Sequence, residues 1–304
     1  MTQLLNALPG ALAQGLIWGV MAVGVYITYK VLDIADLTVD GSICTGAAVC
    51  TMLLLGGQSP WLALLCAVLA GVLAGAVTGL LHVGLGLPPI LAGILTQMVL
   101  WSVNLKLLGK ANQALPARTT PVLLSQMDVG GALPVLLGFC VVLVALLVLF
   151  FGTELGCALR ATGCNPVMSR AQGVNTGLMK VIGLALSNGV VALSGALLCQ
   201  YQGYTDVNMG RGAVVIGLAA VVIGQAVLGR RGGRMAVQLG GVILGAVIYY
   251  IVYQVIIFAG FDTDLLKMFS AVVVAVFLGA PHVKAQLKAH SRSKKGDSGH
   301  AENE

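Results

Sequence analysis

The chain has 304 residues, of which 58% are apolar and 9% charged, and its mean hydropathy is +0.96. Soluble domains carry about 25% charged residues, so this composition excludes a water-soluble enzyme or binding module and indicates a polytopic membrane protein. The net charge of +6 calls for no nucleic acid, because Lys and Arg beside anionic lipid account for it.

The apolar residues come in runs, several near the roughly 20 residues that carry a helix across a hydrocarbon core of about 30 Å. Alternation by twos is absent. Backbone groups in lipid must be satisfied internally, so helices are favoured over a barrel. Nine runs are read: Pro9 to Val31, Leu37 to Leu55, Trp61 to Gly84, Pro89 to Leu108, Ala132 to Phe151, Leu178 to Gln200, Gly212 to Leu228, Met235 to Ala259 and Leu265 to Ala280. The first has no basic stretch before it ("MTQLLNALPG") and reads as a retained helix, not a cleaved signal.

Between the end of the first run and the start of the second stand three of the eleven acidic residues: Asp33, Asp36 and Asp40. Asp33 and Asp36 follow Lys30 and read as an interfacial cluster. Asp40 stands with Gly41, Ser42 and Thr45 inside apolar sequence. Ionisable residues at membrane depth usually face a bundle interior or water, and broken helices expose free backbone groups to a solute cavity. The stretch therefore admits two readings: an interrupted helix beside the solute path, or a helix capped by Asp40 at the cytoplasmic interface.

In the third run, "GVLAGAVTG" sets Gly71, Gly75 and Gly79 on one helical face, which reads as close helix packing. In the fourth, Gln97 and Trp101 are four apart and share a face. Between the fifth and sixth lies a patterned segment, "GTELGCALRATGCNPVMSRAQGVNTGLMKV". Asn165 fits an N-cap, Pro166 a first helical position and Gly173 a C-terminal cap. A short helix of about two turns is predicted there, docking either into a partner's groove or onto lipid. The stretch Leu186 to Gly212 adds Ser187, Asn188, Ser194 and Gln200 within apolar sequence, then the polar turn "YTDVNMGRG" with Asp206, Asn208 and Arg211. Ser187 and Ser194 read as packing groups. Asn188, Gln200 and Gln225, read as a further buried amide, are candidates for the path.

Lys and Arg in short loops set orientation. Arg160, Arg170, Lys180, Arg230, Arg231, Arg234 and the tail's Lys284, Lys288, Arg292, Lys294 and Lys295 place those segments and Lys30 in the cytoplasm. With nine spans the N-terminus is outside. Residues 1–283 read as one transmembrane domain, with a coupling segment at about 153–178, and residues 284–304 as a basic, polar tail expected to be disordered. The seven cysteines and four histidines show no metal-ligand spacing.

"LRATGCNPVMSRAQGVNT" resembles the cytoplasmic coupling segment of bacterial ABC-importer permeases serving branched-chain amino acids, ribose and related solutes. Together with "DLTVDGS" and "ALSNGVVALSGALLCQYQGYTDVNMGRG", it resembles the branch named for tryptophan and tyrosine transport. The resemblance runs from about Tyr26 to Ala280. It implies a second permease copy, two ATP-binding subunits on the cytoplasmic loops, and an extracytoplasmic solute-binding protein, in a bacterial plasma membrane. It makes Arg160, Gly163, Asn165, Pro166, Arg170, Gly173 and Asn175 the ATPase-coupling residues. The chain has no "GxxxxGK[ST]", so ATP and Mg²⁺ are expected on the partner and no cofactor or metal on this chain. Nucleosides and sugars remain alternative solutes. A stand-alone channel or secondary carrier would be expected to show inverted repeats and ion-coupling groups, and a membrane enzyme a constellation of reactive side chains. None is evident.

Overall fold

The structure, a computed structural model, describes residues 2–116, 120–228 and 234–258, with the isolated positions Val272 and Ala275. Ten helices and two short strands follow in order: α1 (Thr2–Tyr26), continued by a π turn (Ile27–Val31), α2 (Val39–Leu55), α3 (Pro60–Gly84), α4 (Pro89–Leu108), β1 (Asn112–Ala114), α5 (Val129–Gly152), α6 (Glu154–Cys164), α7 (Pro166–Ala171), α8 (Thr176–Gln202), β2 (Tyr204–Asp206), α9 (Ala213–Leu228) and α10 (Met235–Phe258). Among the described residues, six helices are long and apolar enough to cross a membrane: Leu8–Val31, α3, α4, α5, α8 and α10. The runs expected as the second and seventh spans are the shorter helices α2 and α9. The ninth run, Leu265 to Ala280, and the tail lie outside the described residues.

Helix α8 is the axis. Gly71, Gly75 and Gly79 of α3 lie against Asn188, Leu184 and Val181 of α8, so close that a Cβ at any of them would strike the neighbouring chain. That close approach is the gain that offsets the poor helix propensity of glycine. Helix α1 runs antiparallel to α8. Ser194 Oγ donates to the Ile17 carbonyl at 2.7 Å and Ser187 Oγ to the Gly24 carbonyl at 2.8 Å. Both serines thus hold helices together, which satisfies their hydroxyls in a dry interior.

The strands pair antiparallel, with Gln113 opposite Thr205, and mark one face of the bundle. Helices α6 and α7 mark the other. Leu115 N donates to the Gly203 carbonyl at 2.8 Å, and Gln126 N to the Tyr201 carbonyl at 3.1 Å, fixing the α4–α5 loop over the end of α8.

Two helices start inside the bundle. Helix α2 begins beside the midpoint of α8, where Ser42 meets Asn188, and runs to the strand face, where Thr51 Oγ1 lies 2.6 Å from Thr205 Oγ1. Helix α9 begins beside Asp40, passes Met21 and Val25 at Gly217, and packs Gly224 on Gly241 of α10. The interruption expected at Asp40–Ser42 is therefore absent: α2 is unbroken from Val39. The irregular segments are Leu32 to Thr38, before α2, and Val207 to Gly212, before α9. The expected polar turn after β2 thus descends from the strand face into the bundle.

Candidate functional site

Where α2 and α9 begin, the bundle is polar. Asp40 Oδ2 accepts from Gly212 N at 3.0 Å, and Oδ1 accepts from Val214 N at 3.0 Å. The first N–H groups of a helix have no partner within it, and the helix dipole favours an anion there. Asp40 therefore caps a helix, as the second reading of its stretch held, but the helix is α9 and the place is the interior, not the cytoplasmic interface. Cys44 Sγ accepts from Gly210 N at 3.2 Å and completes the seat.

Behind Asp40 runs a buried network. Asn188 Nδ2 donates to Asp36 Oδ2 at 2.7 Å and to the Leu184 carbonyl at 2.9 Å, while its Oδ1 accepts from Ser42 Oγ at 2.6 Å. Asp36 Oδ1 accepts from Thr38 N at 2.8 Å, and Thr38 Oγ1 lies 2.8 Å from Thr78 Oγ1. Asp36, read as interfacial, is buried at the level of the α8 midpoint. Asp33 stays exposed, with φ +56° in the turn that reverses the chain. The acidic stretch thus contains three carboxylates with three different surroundings.

A cavity of about 440 Å³ opens beside Asp40, lined by Gly41, Gln97, Trp101, Asn104 and Arg211 among others. Of the candidate path residues, Asp40, Gln97 and Trp101 come together on its wall. Ser42 and Asn188 are bonded to each other behind it, and Thr45 Oγ1 donates to the Gly41 carbonyl at 3.0 Å. Gln200 is buried elsewhere: its Oε1 accepts from Leu123 N at 3.0 Å, holding the α4–α5 loop. Gln225, expected as a buried amide, is exposed on the last turns of α9, because the buried side of that helix is its Gly217 and Gly224 side.

Sequence reasoning missed Asn104 and the depth of Asp36, and left Arg211 in a polar turn. Asn104 had a signal: Gln97, Trp101 and Asn104 recur at intervals of four and three, one stripe of a helix.

On the opposite face, local chemistry dictates the short helix. Asn165 caps α7, its side chain accepting from Met168 N at 3.0 Å, and Pro166 occupies the first turn. Gly173 has φ +84°, a conformation that costs glycine little and a β-branched residue much. Asn175 caps α8, accepting from Leu178 N at 3.1 Å, and Arg170 Nη2 donates to Thr176 Oγ1 at 3.2 Å. Gly163 of α6 presses on the Val31 carbonyl, where a Cβ has no room. Arg160 is exposed, as are Val167 and Met168, at 78% and 62%.

The chain is 37% identical over 287 residues to a tyrosine transport system permease protein of Clostridioides difficile (strain R20291), covering 93% of this chain and 94% of that one. It is 33% identical over 279 residues to an uncharacterized protein of Rickettsia prowazekii, covering 91% and 98%. It is 29% identical over 239 residues to an autoinducer 2 import system permease protein of Escherichia coli, covering 75% and 66%. No solved structure matches. With its bundle of long apolar helices and the match of residues 8–280 to the family pattern, the chain belongs to the family described as branched-chain amino acid transport system / permease component.

Proposed function

We propose that this permease is the membrane subunit of an ATP-driven ABC importer that carries a small solute, an amino acid of aromatic type, from an extracytoplasmic binding protein to the cytoplasm. The observation that carries the reading is the meeting of two interior helix starts, α2 and α9, at Asp40 on the wall of a cavity. Helix starts at membrane depth present backbone dipoles to a solute without lipid-exposed irregular chain. Asp40, Gln97 and Trp101 would face the solute, with Ser42, Thr45 and Asn188 setting their positions from behind. The name of the tyrosine transport relative supports the amino-acid class, whereas that of the autoinducer 2 relative keeps other solutes in the test.

The face of α6 and α7 would be cytoplasmic, and the strand face and N-terminus outside. Exposed Val167, Met168, Arg160 and Arg170 would dock on one of two ATP-binding subunits, which hold ATP and Mg²⁺, while a second permease copy completes the membrane unit. A contact can transmit ATPase closure only if it differs between the two states and is itself stiff. The caps at Asn165 and Asn175 and the turn at Gly173 would supply that stiffness.

The test is uptake of labelled tyrosine, with a panel of other amino acids, nucleosides and sugars, into proteoliposomes holding this chain with its ATPase and binding protein. Uptake should need all three components and ATP. Uptake by the chain alone on an ion gradient would make it a carrier.

A further inference from the structure

Among the described residues, one buried amide is left bare. Asn104 of α4 is 1% exposed, and neither its Oδ1 nor its Nδ2 meets a partner in the protein. Other amides at depth are occupied: Asn188 has three partners, and Gln200 reaches Leu123 N and Cys50 Sγ. Buried polar groups are almost always hydrogen-bonded, and an exception calls for an explanation. Asn104 lines the cavity that holds Asp40, Gln97, Trp101 and Arg211. An apolar residue there would fill the same space without an unpaired donor and acceptor.

The lining also has a definite chemistry. Asp40 accepts from the backbone at the start of α9 and, with about four lone-pair sites, retains acceptor capacity. Arg211 is exposed at the cavity, and the Trp101 ring is 45% exposed. A carboxylate, a guanidinium, an indole face and an amide that both donates and accepts complement an α-amino acid with a planar, hydrogen-bonding side chain. The ammonium group suits Asp40, the carboxylate Arg211, and the ring Trp101.

We infer that Asn104 is a solute-reading residue, whose bare amide pairs with the polar group of an aromatic amino-acid side chain held in this cavity. This rests on the reading of the chain as an amino-acid permease. It adds discrimination within that class: a site built to hydrogen-bond a hydroxyl rejects the analogue lacking it far more strongly than an apolar pocket does.

The test uses the full importer in proteoliposomes with wild type, Asn104→Leu and Asn104→Gln. Uptake of L-tyrosine is measured against L-phenylalanine under conditions that saturate the binding protein. Thermal unfolding of the purified permease, with and without L-tyrosine, is measured in parallel. Asn104→Leu should melt at or above the wild-type temperature, because it removes an unpaired amide. It should also lower the tyrosine-to-phenylalanine uptake ratio at least 5-fold and abolish stabilisation by tyrosine. Asn104→Gln should restore part of the ratio. A structural amide, or one paired with a second permease copy, would give a lower melting temperature or a weaker assembly with the ratio unchanged, and that result overturns the inference. If the wild-type importer carries no amino acid at all, the amino-acid reading falls and this one with it. If it carries amino acids at a ratio indifferent to residue 104, only the assignment of Asn104 falls.

Discussion

Replacing Asn188 with Leu should strip three hydrogen bonds from the middle of the bundle. Ser42 Oγ would lose its acceptor at 2.6 Å, and Asp36 Oδ2 its donor at 2.7 Å. The third bond, to the Leu184 carbonyl at 2.9 Å, is within α8 and matters less. Neutral side-chain bonds inside membrane proteins average about 0.6 kcal/mol, but leaving a buried donor or acceptor without its partner costs about 1–3 kcal/mol, and more where the group carries charge. Asp36 would keep only Thr38, whose backbone N donates at 2.8 Å and whose side chain also hydrogen-bonds the carboxylate. The variant should therefore lose about 2–4 kcal/mol, most of it through Asp36. In a domain of this size that is roughly a 5–15 °C fall in apparent melting temperature. Purified permease in detergent, scanned at one fixed rate because unfolding is irreversible, provides the measurement. The decisive variant is the double replacement Asn188→Leu with Asp36→Leu, which removes donor and acceptor together. It should recover about 1–2 kcal/mol relative to the sum of the single losses. Additivity to within about 0.5 kcal/mol, or a single variant that melts like wild type, would show that the carboxylate does not depend on the amide.

Asp40→Ala should uncap α9, cost about 1–2 kcal/mol and reduce uptake while leaving ATPase association intact. Asp40→Asn, which keeps an acceptor, should fall between, and equal uptake by all three would refute the capping role. Gly173→Val should strain the turn at φ +84° by about 1–3 kcal/mol. The expected result is a permease that inserts normally but releases its ATPase or lets it hydrolyse ATP without uptake, both read by co-purification and phosphate release. Cysteine labelling should reach Val167→Cys only from the cytoplasm and Asn112→Cys only from outside. Labelling of both from one side would refute the orientation.

What could be read from sequence follows the range of the interaction. The caps of α7 and the turn at Gly173 were legible because Asn-Pro and glycine act within four residues. The role of Gly71, Gly75 and Gly79 was legible because spacing alone puts them on one side of α3. The depth of Asp36 was not legible. Nothing near residue 36 announces a partner 152 positions later, and a carboxylate near a lysine normally reads as interfacial. The same distance hid the cap on α9, whose acceptor lies 172 positions upstream of its donor. The break expected inside α2 was real in chemistry but displaced: polar small residues marked where a helix begins, not where one is cut. Gln225 misled because an amide in an apolar run looks buried, whereas the packing of α9 on its glycines turns that residue outward.

The axial position of α8 bears on how the protein is made. Helices α1, α2 and α3 are seated on it by backbone contacts and by side chains such as Ser42 and Asp36. Yet α8 is synthesised after all of them. At about 5–20 residues per second, the 152 residues between Asp36 and Asn188 take about 8–30 s to emerge. Throughout that interval the Asp36 carboxylate has its local partner Thr38 but lacks the Asn188 amide, and lipid offers no substitute for it. The segment is expected to stay near the membrane surface, with α2 short of its final depth, until α8 has been made. A chain cut before α8 should therefore leave the segment from Leu32 to Thr38 nearer the interface than it lies in the full permease, where Asn188 holds Asp36.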